Sequence, residues 1–380
     1  MTGRAVVDVC VVGGGIVGLA LGRELALRGR SVLVLESRRV GERSAANVAA
    51  GMLAPASEVD LSDSRLTEFA LAAHAMYPEW CAALARESGL DAGFDPTGTL
   101  IVALHHDHLA LLERLNEFQR ERGLTAERLS AASARELEPC LAPGVIGALR
   151  TDDTQVDPRR AMRALVAAIA AAGGVLEDGA EVSALVRDGD TYALTVRHRE
   201  SEATVHASQV VLAGGAWSAR VALPAGLPSL PMRPVKGQVV RVRGERLIGH
   251  VVRTPDVYLV PRADGELVIG ATMEEMGFDA RSTAGMVEHL LREAQRVLPG
   301  IAELELTECG VGFRPALRDH LPAIGSLDGA GLFVATGHFR NGVELAPITA
   351  QLLADVMCEG RTDPLIAPFT PARFATVASA

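Results

Sequence analysis

The stretch from Val6 to Arg28 reads VVDVCVVGGGIVGLALGRELALR, and the interpretation of the whole chain starts from it. Its first seven residues form an apolar run that is typical of a strand buried on both faces. Gly13, Gly15 and Gly18 then follow the G-x-G-x-x-G spacing. In that motif the first glycine allows a tight turn, the second lets the backbone approach a pyrophosphate, and the third lets helix and strand pack closely.

A second strand supplies the context that a glycine motif needs. Residues 31–35 read SVLVL and lead into Glu36, which lies eighteen residues after Gly18. A carboxylate at this place can accept two hydrogen bonds from a ribose, and it disfavours the 2′-phosphate of NADP. The helix that starts after Gly15 would direct its N–H groups at the phosphates. Strand, spacing, helix and acid together predict a dinucleotide-binding domain rather than an ordinary glycine-rich turn.

Length and charge exclude several classes of protein. At 380 residues the chain exceeds one ordinary core, which predicts one large domain or two closely packed ones. The 37 basic and 47 acidic side chains give a net charge of −10, which argues against non-specific binding to nucleic acid or to an anionic membrane. No stretch has the length of a membrane span, and Asp8 interrupts the first apolar run, so we expect neither a membrane anchor nor a signal peptide.

Cysteines and histidines give no indication of a metal site. The five cysteines are odd in number, widely separated and without a C-x-x-C pair, which predicts a reducing, cytoplasmic location and no disulfide framework. The run His105-His106-Asp107-His108 contains potential ligands. Leucines at helical spacing follow it, however, so we interpret it as the start of a helix and expect no metal.

The remaining chain alternates between two kinds of pattern. Residues 43–55 are rich in small side chains, which would let the backbone approach a flat ligand. Asp157-Pro158 is a typical helix start, and Gly214-Gly215-Ala216-Trp217 is a second glycine-rich strand end. Strands are predicted at residues 97–103, 181–186, 192–198, 203–206, 209–213, 235–242, 249–253, 258–261, 266–270 and 332–336, and helices at residues 64–88, 107–122, 158–172, 287–298 and from Ala346-Pro347 onward.

These elements predict two interleaved domains. The parallel-type strands and their helices would form a discontinuous dinucleotide-binding domain of residues 1–88, 145–228 and 314–380. The β-rich segments after Pro231 predict an antiparallel sheet, and we assign residues 89–144 and 229–313 to a substrate-binding domain.

Several motifs, in order, resemble the D-amino-acid oxidase superfamily of flavoproteins, and most closely its glycine oxidase branch. They are Gly13 to Gly18, Ala49-Ala50-Gly51-Met52-Leu53-Ala54-Pro55, Gln155-Val156-Asp157-Pro158-Arg159, Pro234-Val235-Lys236-Gly237-Gln238, Tyr258-Leu259-Val260-Pro261-Arg262, Gly270-Ala271-Thr272-Met273, and Gly337-His338-Phe339-Arg340-Asn341-Gly342. The resemblance covers nearly the whole chain. It implies an α/β fold with an FAD-binding, Rossmann-like domain of the glutathione-reductase type and an antiparallel-sheet substrate domain.

The resemblance also implies an activity and its setting. Members bind FAD without a covalent link and oxidise the amine of glycine, sarcosine or small D-amino acids to an imine, by hydride transfer to flavin N5, with O2 reduced to H2O2. The thiamine-biosynthesis type delivers the imine to thiazole synthesis, and relatives form homotetramers. For this chain we therefore expect an FAD-dependent amine oxidase with a small amino acid and O2 as partners.

Site residues follow from the same resemblance. Arg314 matches the arginine that binds the substrate carboxylate, Tyr258 and Arg340 match its helpers, and Met273 matches a residue lining the pocket. Alternatively, the arginines could form ion pairs and Met273 could be plain packing. Val182 would meet the adenine through its backbone. The full set expected to contact FAD is Gly13, Gly15, Ile16, Val17, Gly18, Glu36, Ser37, Ala50, Gly51, Met52, Val182, His338, Phe339, Arg340, Asn341, Gly342, Val343 and Glu344.

Some positions depart from the family pattern. Glu344 would bring a carboxylate near the flavin where an apolar side chain is usual, and Cys309-Gly310-Val311 replaces a segment with tryptophan before the substrate arginine. Ala45-Ala46 replaces hydroxyl residues, and Leu317-Arg318-Asp319-His320 replaces a Thr-x-Asp-Gly turn. Three alternatives therefore stay open: an FAD-dependent D-amino-acid dehydrogenase, an oxidase of a bulkier amine in a specialised pathway, and a non-catalytic FAD-binding scaffold.

Overall fold

The structure is a computed structural model that describes residues 6–42, 44–57 and 64–377. Two eight-stranded sheets organise these residues. Arg43, the first residue of the small-residue stretch, lies outside this part of the chain. The helices are α1 Ile16–Leu27, α2 Ala45–Val48, α3 Ser64–Ser88, α4 His106–Glu121, α5 Ala131–Leu137, α6 Pro158–Ala171, α7 Ala284–Val297 and α8 Gly342–Glu359.

The strands alternate with these helices along most of the chain. They are β1 Val6–Val12, β2 Val32–Glu36, β3 Met52–Leu53, β4 Thr99–Ala103, β5 Ala126–Ser130, β6 Gly147–Thr151, β7 Thr154–Gln155, β8 Val175–Asp178, β9 Glu181–Asp188, β10 Thr191–Arg197, β11 Glu202–Leu212, β12 Arg233–Arg243, β13 Val251–Arg253, β14 Tyr258–Pro261, β15 Glu266–Gly270, β16 Glu305–Ala316, β17 Ala323–Ser326 and β18 Leu332–Thr336.

The first sheet is built around the predicted β1–α1–β2 unit. Its strand order is β17-β18-β11-β1-β2-β8, and the hairpin of β9 and β10 is attached through β11. The pairs β1–β2, β1–β11, β2–β8 and β11–β18 are parallel. Helices α1, α3, α6 and α8 share one apolar core with this sheet. A parallel sheet covered by helices is the predicted dinucleotide-binding architecture.

The second sheet is mostly antiparallel, as predicted. Its order is β16-β12-β15-β14-β13-β4-β6-β5, and β13–β4 is its parallel pair. The fold class expected from the resemblance is therefore confirmed. The strand β6 belongs to this sheet because it pairs with β4, although it lies within residues 145–228 of the predicted dinucleotide domain. The exact division into domains stays a prediction.

Two predicted strands and one predicted helix differ most from the structure in their boundaries. The strands expected at residues 203–206 and 209–213 form one strand, β11, because its first half pairs with β10 and its second half with β1 and β18. Helix α8 begins at Gly342 rather than near Pro347. Pro347 has no N–H to give to the carbonyl of Val343, and the buried Tyr77 hydroxyl donates to that carbonyl instead.

Candidate active site

A cavity of about 1260 Å³ is lined by residues of both sheets. The carboxyl ends of β1, β2, β11 and β18 meet at it, which is where open α/β sheets bind their ligands. The volume exceeds the roughly 300–1,000 Å³ of a pocket for one small ligand. The cavity therefore has room for a dinucleotide and a substrate together.

The glycine turn has the geometry that its spacing predicts. Gly13 has φ +116°, and a Cβ added there would lie 2.7 Å from the carbonyl oxygen of Ala213. A Cβ on Gly18 would lie 2.1 Å from the carbonyl oxygen of Gly13, so Gly18 serves helix–strand packing and does not line the cavity. Gly15 lines the cavity and has no neighbour within 4 Å of an added Cβ. The backbone of Gly15 is therefore the part of the turn that a ligand can approach.

The Glu36 carboxylate is held in the cavity wall at the end of β2. The N–H of Gly14 donates to its Oε2 at 2.8 Å. The Ser37 hydroxyl and the Arg38 N–H donate to its Oε1 at 3.1 and 3.2 Å. Val182, on β9, also lines the cavity. A carboxylate fixed beside the glycine turn is the arrangement that recognises a ribose.

The small-residue stretch forms another wall. Residues 44–46 and 48–52 line the cavity. Gly51 has φ +79°, and a Cβ there would lie 2.1 Å from the carbonyl oxygen of Val156 and 2.7 Å from Pro158 Cδ. The N–H of Val156 donates to the Gly51 carbonyl at 2.9 Å. Because Gly51 has no Cβ, the small-residue stretch can cross the Gln155–Arg159 motif before α6 at this short distance.

Two glycines make room for the side chains of Arg314 and Tyr258. Arg314 lies on β16, and its Nη1 donates to the carbonyl of Thr272 at 3.0 Å. A Cβ on Gly237 would lie 2.5 Å from that Nη1. A Cβ on Gly270 would lie 2.4 Å from the Tyr258 ring. Both side chains line the cavity and are seated over bare backbone of the second sheet.

The turn before α8 closes the same end of the cavity. Arg340 lines it, with its guanidinium carbon 5.8 Å from the centre of the Phe339 ring. Phe339 has φ +48°, and its N–H donates to the Pro315 carbonyl at 2.9 Å. Met273 also lines the cavity but is 66% exposed, which places it at the mouth.

His338 is buried in the cavity wall and is neutral at pH 7. Burial lowers the pKa of His338 to about 3. Its Nε2 lies 3.1 Å from the hydroxyl oxygen of Thr349, within hydrogen-bond distance. A histidine in this state is unsuited to hold a proton during a reaction at neutral pH.

Most of the expected site residues line this one cavity, and three do not. The exceptions are Gly18, Asn341 and Glu344. Glu344 is 2% exposed and accepts a hydrogen bond from Asn341 Nδ2 at 3.0 Å. Burial, and to a smaller degree the Cys81 and Glu344 charges, raises the pKa of Tyr77. The start of α8 thus buries the Glu344 side chain outside the cavity lining, and the expectation that its carboxylate lies near the flavin stays a prediction.

Several lining residues were assigned no role from the sequence. Trp217 and Phe313 line the cavity with their ring centres 5.8 Å apart. Phe278 packs against both, at 5.2 and 5.4 Å, and the Arg220 guanidinium lies 4.2 Å over the Phe278 ring. Trp217 ends the second glycine-rich strand end, and Phe313 precedes Arg314. The glycine-rich strand end and Arg314 were therefore the sequence features that could have indicated an aromatic wall of the cavity.

Other site types find no support in the described residues. There, no group of three histidine, cysteine, aspartate or glutamate side chains is arranged to hold a metal ion. The five cysteines are unpaired, and α4 begins at His106, as the helix interpretation predicts. None of the described helices combines the length and the apolar character that a membrane crossing requires.

Comparison with known proteins identifies the family. The family model described as FAD dependent oxidoreductase (DAO) matches residues 8–356. The chain belongs to this family. Its cavity fits the cofactor: the open Gly15 backbone and the fixed Glu36 carboxylate suit phosphates and a ribose, and the small side chains of residues 45–50 leave room for a flat ring system.

Individual relatives agree with this assignment. The chain is 37% identical over 371 residues to a glycine oxidase of Geobacillus kaustophilus, covering 96% of this chain and 97% of that protein. It is 36% identical over 378 residues to the bifunctional protein ThiO/ThiG of Trichormus variabilis, covering 98% of this chain and 56% of that protein. The chain thus spans about half the length of such bifunctional relatives.

Solved structures show the same fold. The crystal structure of glycine oxidase from Geobacillus kaustophilus has a TM-score of 0.89 at 36% identity, covering 96% of this chain and 98% of that one. That of iminodiacetate oxidase from Chelativorans sp. BNC1 has a TM-score of 0.86 at 25% identity, covering 96% of this chain and 99% of that one. The resemblance inferred from the motifs is confirmed.

Proposed function

We propose that this protein is an FAD-dependent oxidase of glycine, sarcosine or small D-amino acids. The observation that carries the proposal is the Arg314 guanidinium, which lines the same cavity as Tyr258 and the Gly13 turn and is seated over Gly237 of the second sheet. A planar guanidinium matches a carboxylate with two hydrogen bonds, so this end of the cavity suits an amino acid. Relatives that carry the name glycine oxidase support the same substrate class.

The cofactor would lie along the cavity from the glycine turn to Arg314. We expect the Gly13–Gly15 turn and the start of α1 to bind its phosphates, and Glu36 to bind a ribose. Residues 50–52 and the turn at residues 338–343 would contact its ring system. When bound, FAD supplies the acceptor for the two electrons and the hydrogen that leave the substrate.

The protein's own part of the reaction is to orient the substrate. Arg314 would bind the carboxylate, with Tyr258 and Arg340 as helpers and Met273 at the entrance. A substrate held in this way would present its Cα–H bond to the cofactor, and such orientation can contribute several kcal/mol to lowering the barrier. The Thr272 carbonyl and the bare backbone of Gly237 keep the guanidinium in place.

No side chain is assigned as a base. His338 lines the cavity, but it is neutral, buried and within hydrogen-bond distance of Thr349. The substrate would therefore react with its amine already neutral, and the Cα hydrogen would leave as hydride while the nitrogen lone pair forms the imine. Water would hydrolyse the imine to an oxo acid and release the amine. The electrons would pass to O2 and give H2O2.

The proposal also includes a metabolic pathway, a cellular location and an oligomeric state. The ThiO/ThiG relatives support a link to thiamine thiazole synthesis, in which the imine is the useful product. We also propose a cytoplasmic homo-oligomer, a tetramer by family resemblance.

The experiment is an aerobic assay for H2O2 with the purified FAD-loaded protein. Glycine, sarcosine, D-alanine and D-proline are offered separately, and the flavin absorbance is followed in parallel without air. Peroxide with glycine or sarcosine is the expected result. Flavin reduction without peroxide would instead indicate a dehydrogenase. A protein that reacts with none of the four would indicate a bulkier amine.

A further inference from the structure

Four consecutive carbonyl groups at the cavity wall bind arginine side chains. They belong to residues 47–50, which are the last two residues of α2 and the two residues before Gly51. The hydrogen bonds are from Arg159 Nε to the Asn47 oxygen at 2.7 Å, from Arg241 Nη2 to the Val48 and Ala49 oxygens at 3.4 and 3.5 Å, and from Arg262 Nη2 to the Ala50 oxygen.

This arrangement determines where two backbone N–H groups point. In a trans peptide the N–H lies opposite the carbonyl. The N–H groups of Ala50 and Gly51 therefore point away from Arg241 and Arg262, on the side of the cavity that both residues line. Neither N–H has a hydrogen-bond acceptor among the residues that the structure describes. Two donors are thus directed into the cavity by arginines behind them.

The segment lies at the Arg314 end of the cavity rather than at the nucleotide end. Ala50 packs in one apolar cluster with Tyr258 and Ala271. A Cβ on Gly312, two residues before Arg314, would lie 3.2 Å from Val48. A bound FAD would therefore meet this wall with its redox-active ring system.

The three guanidinium groups differ in their charge partners. Arg159 forms two hydrogen bonds with Glu308, at 2.9 and 2.7 Å, and Arg241 donates to Glu266 at 2.6 Å. Arg262 has no carboxylate within 4.0 Å among the described residues, and the Asp157, Glu266 and Asp264 carboxylates act on it only from farther away.

The environment of Arg262 is unusual for a buried charge. The side chain is 8% exposed, its Nη1 donates to the neutral Gln155 amide oxygen at 2.6 Å, and its Nε has no hydrogen-bond partner. Buried cations are ordinarily paired with an anion, because water no longer solvates them. This guanidinium lies directly behind the Ala50 peptide, because its Nη2 donates to the Ala50 oxygen.

We propose that Arg262 is a positioning residue that holds the Ala50 and Gly51 N–H groups toward the cofactor and, through its buried charge, raises the reduction potential of the bound FAD. Reduction adds negative charge to the ring system, and a fixed cation and two aligned N–H dipoles stabilise that charge more than the oxidised form. The inference requires the cofactor of this family but no particular substrate.

The test replaces side chains beside the guanidinium groups by side chains of the same size and different charge. The measured quantity is the midpoint potential of FAD in the holoenzyme, from titration with dithionite and reference dyes. Gln155→Glu places a carboxylate against Arg262 without changing the size of the side chain. We expect the potential to fall by the equivalent of a tenfold change in the equilibrium constant, about 30 mV for a two-electron couple. Glu266→Gln removes the nearer of the two carboxylates that pair with Arg241, and the potential should rise.

The opposite signs separate an electrostatic role from a structural one. General loosening of the wall would move both variants in the same direction, and that result, or two unchanged potentials, would overturn the proposal. If Gln155→Glu fails to retain FAD, Arg262→Lys and Glu266→Gln decide the question: the first should keep most of the potential and the second should raise it. The titration uses no amine, so a protein inactive with glycine leaves this test intact, and an unchanged potential leaves the proposed oxidation unaffected.

Discussion

Adding one methyl group beside Arg314 tests the proposed carboxylate site most directly. In Gly237→Ala the new Cβ would lie 2.5 Å from Arg314 Nη1 and 2.8 Å from its Cζ, whereas ordinary contacts begin near 3.4 Å. The guanidinium must therefore retreat by about 0.9 Å, the difference between 3.4 and 2.5 Å. A displacement of about 1 Å in a positioning group can cost about 100-fold in rate, which is about 2.7 kcal/mol.

We expect kcat/KM for glycine to fall by about that factor, while the flavin spectrum and the melting temperature stay near those of the unchanged protein. Steady-state peroxide production measures the first, and absorbance and thermal unfolding measure the others. Gly285→Ala on α7 is the matched control, because a Cβ there has no neighbour within 4 Å. Its kcat/KM should not change.

A double-mutant cycle then tests the reason for the effect. If Gly237→Ala acts by moving the guanidinium, it should cost little in a protein that already carries Arg314→Met, because the two changes remove the same interaction. An unchanged kcat/KM in Gly237→Ala alone would refute the reasoning. Full additivity in the double variant would refute it as well.

Other substitutions test the roles of Arg314, Glu344 and Tyr77. Arg314→Met should raise KM for glycine about 100-fold through loss of charged hydrogen bonds while FAD stays bound; the exposed Arg318→Met is the control, and equal KM values would contradict the assignment. Glu344→Leu should leave the order of preference among amines unchanged, because this side chain does not line the cavity, and an altered order would show otherwise. Tyr77→Phe should lower the free energy of unfolding in urea by about 1–3 kcal/mol, because the carbonyl that Pro347 leaves unpaired then loses its donor; an unchanged value would contradict that role.

Local patterns of apolar residues were sufficient to predict several strands. The last parallel strand, Leu332–Thr336, and the strands Tyr258–Pro261 and Glu266–Gly270 have the predicted bounds, because uninterrupted apolar or alternating runs end at turn residues. Strand β16 was not predicted, although it carries Arg314. Its first half is polar, and it is ordered by pairing with β12, about seventy residues earlier in the chain.

By itself, the sequence determined the dinucleotide fold, the carboxylate at Glu36 and the family, because these depend on short motifs whose residues meet by local geometry. The tertiary structure alone decided how charge and space are distributed at the reactive end. Gly237 faces Arg314 through strand pairing, and Arg262 reaches Ala50 across 212 residues of chain. It also decided that Glu344 is turned away from the cavity. Such contacts depend on register and helix rotation between distant segments, which no local pattern of residues encodes.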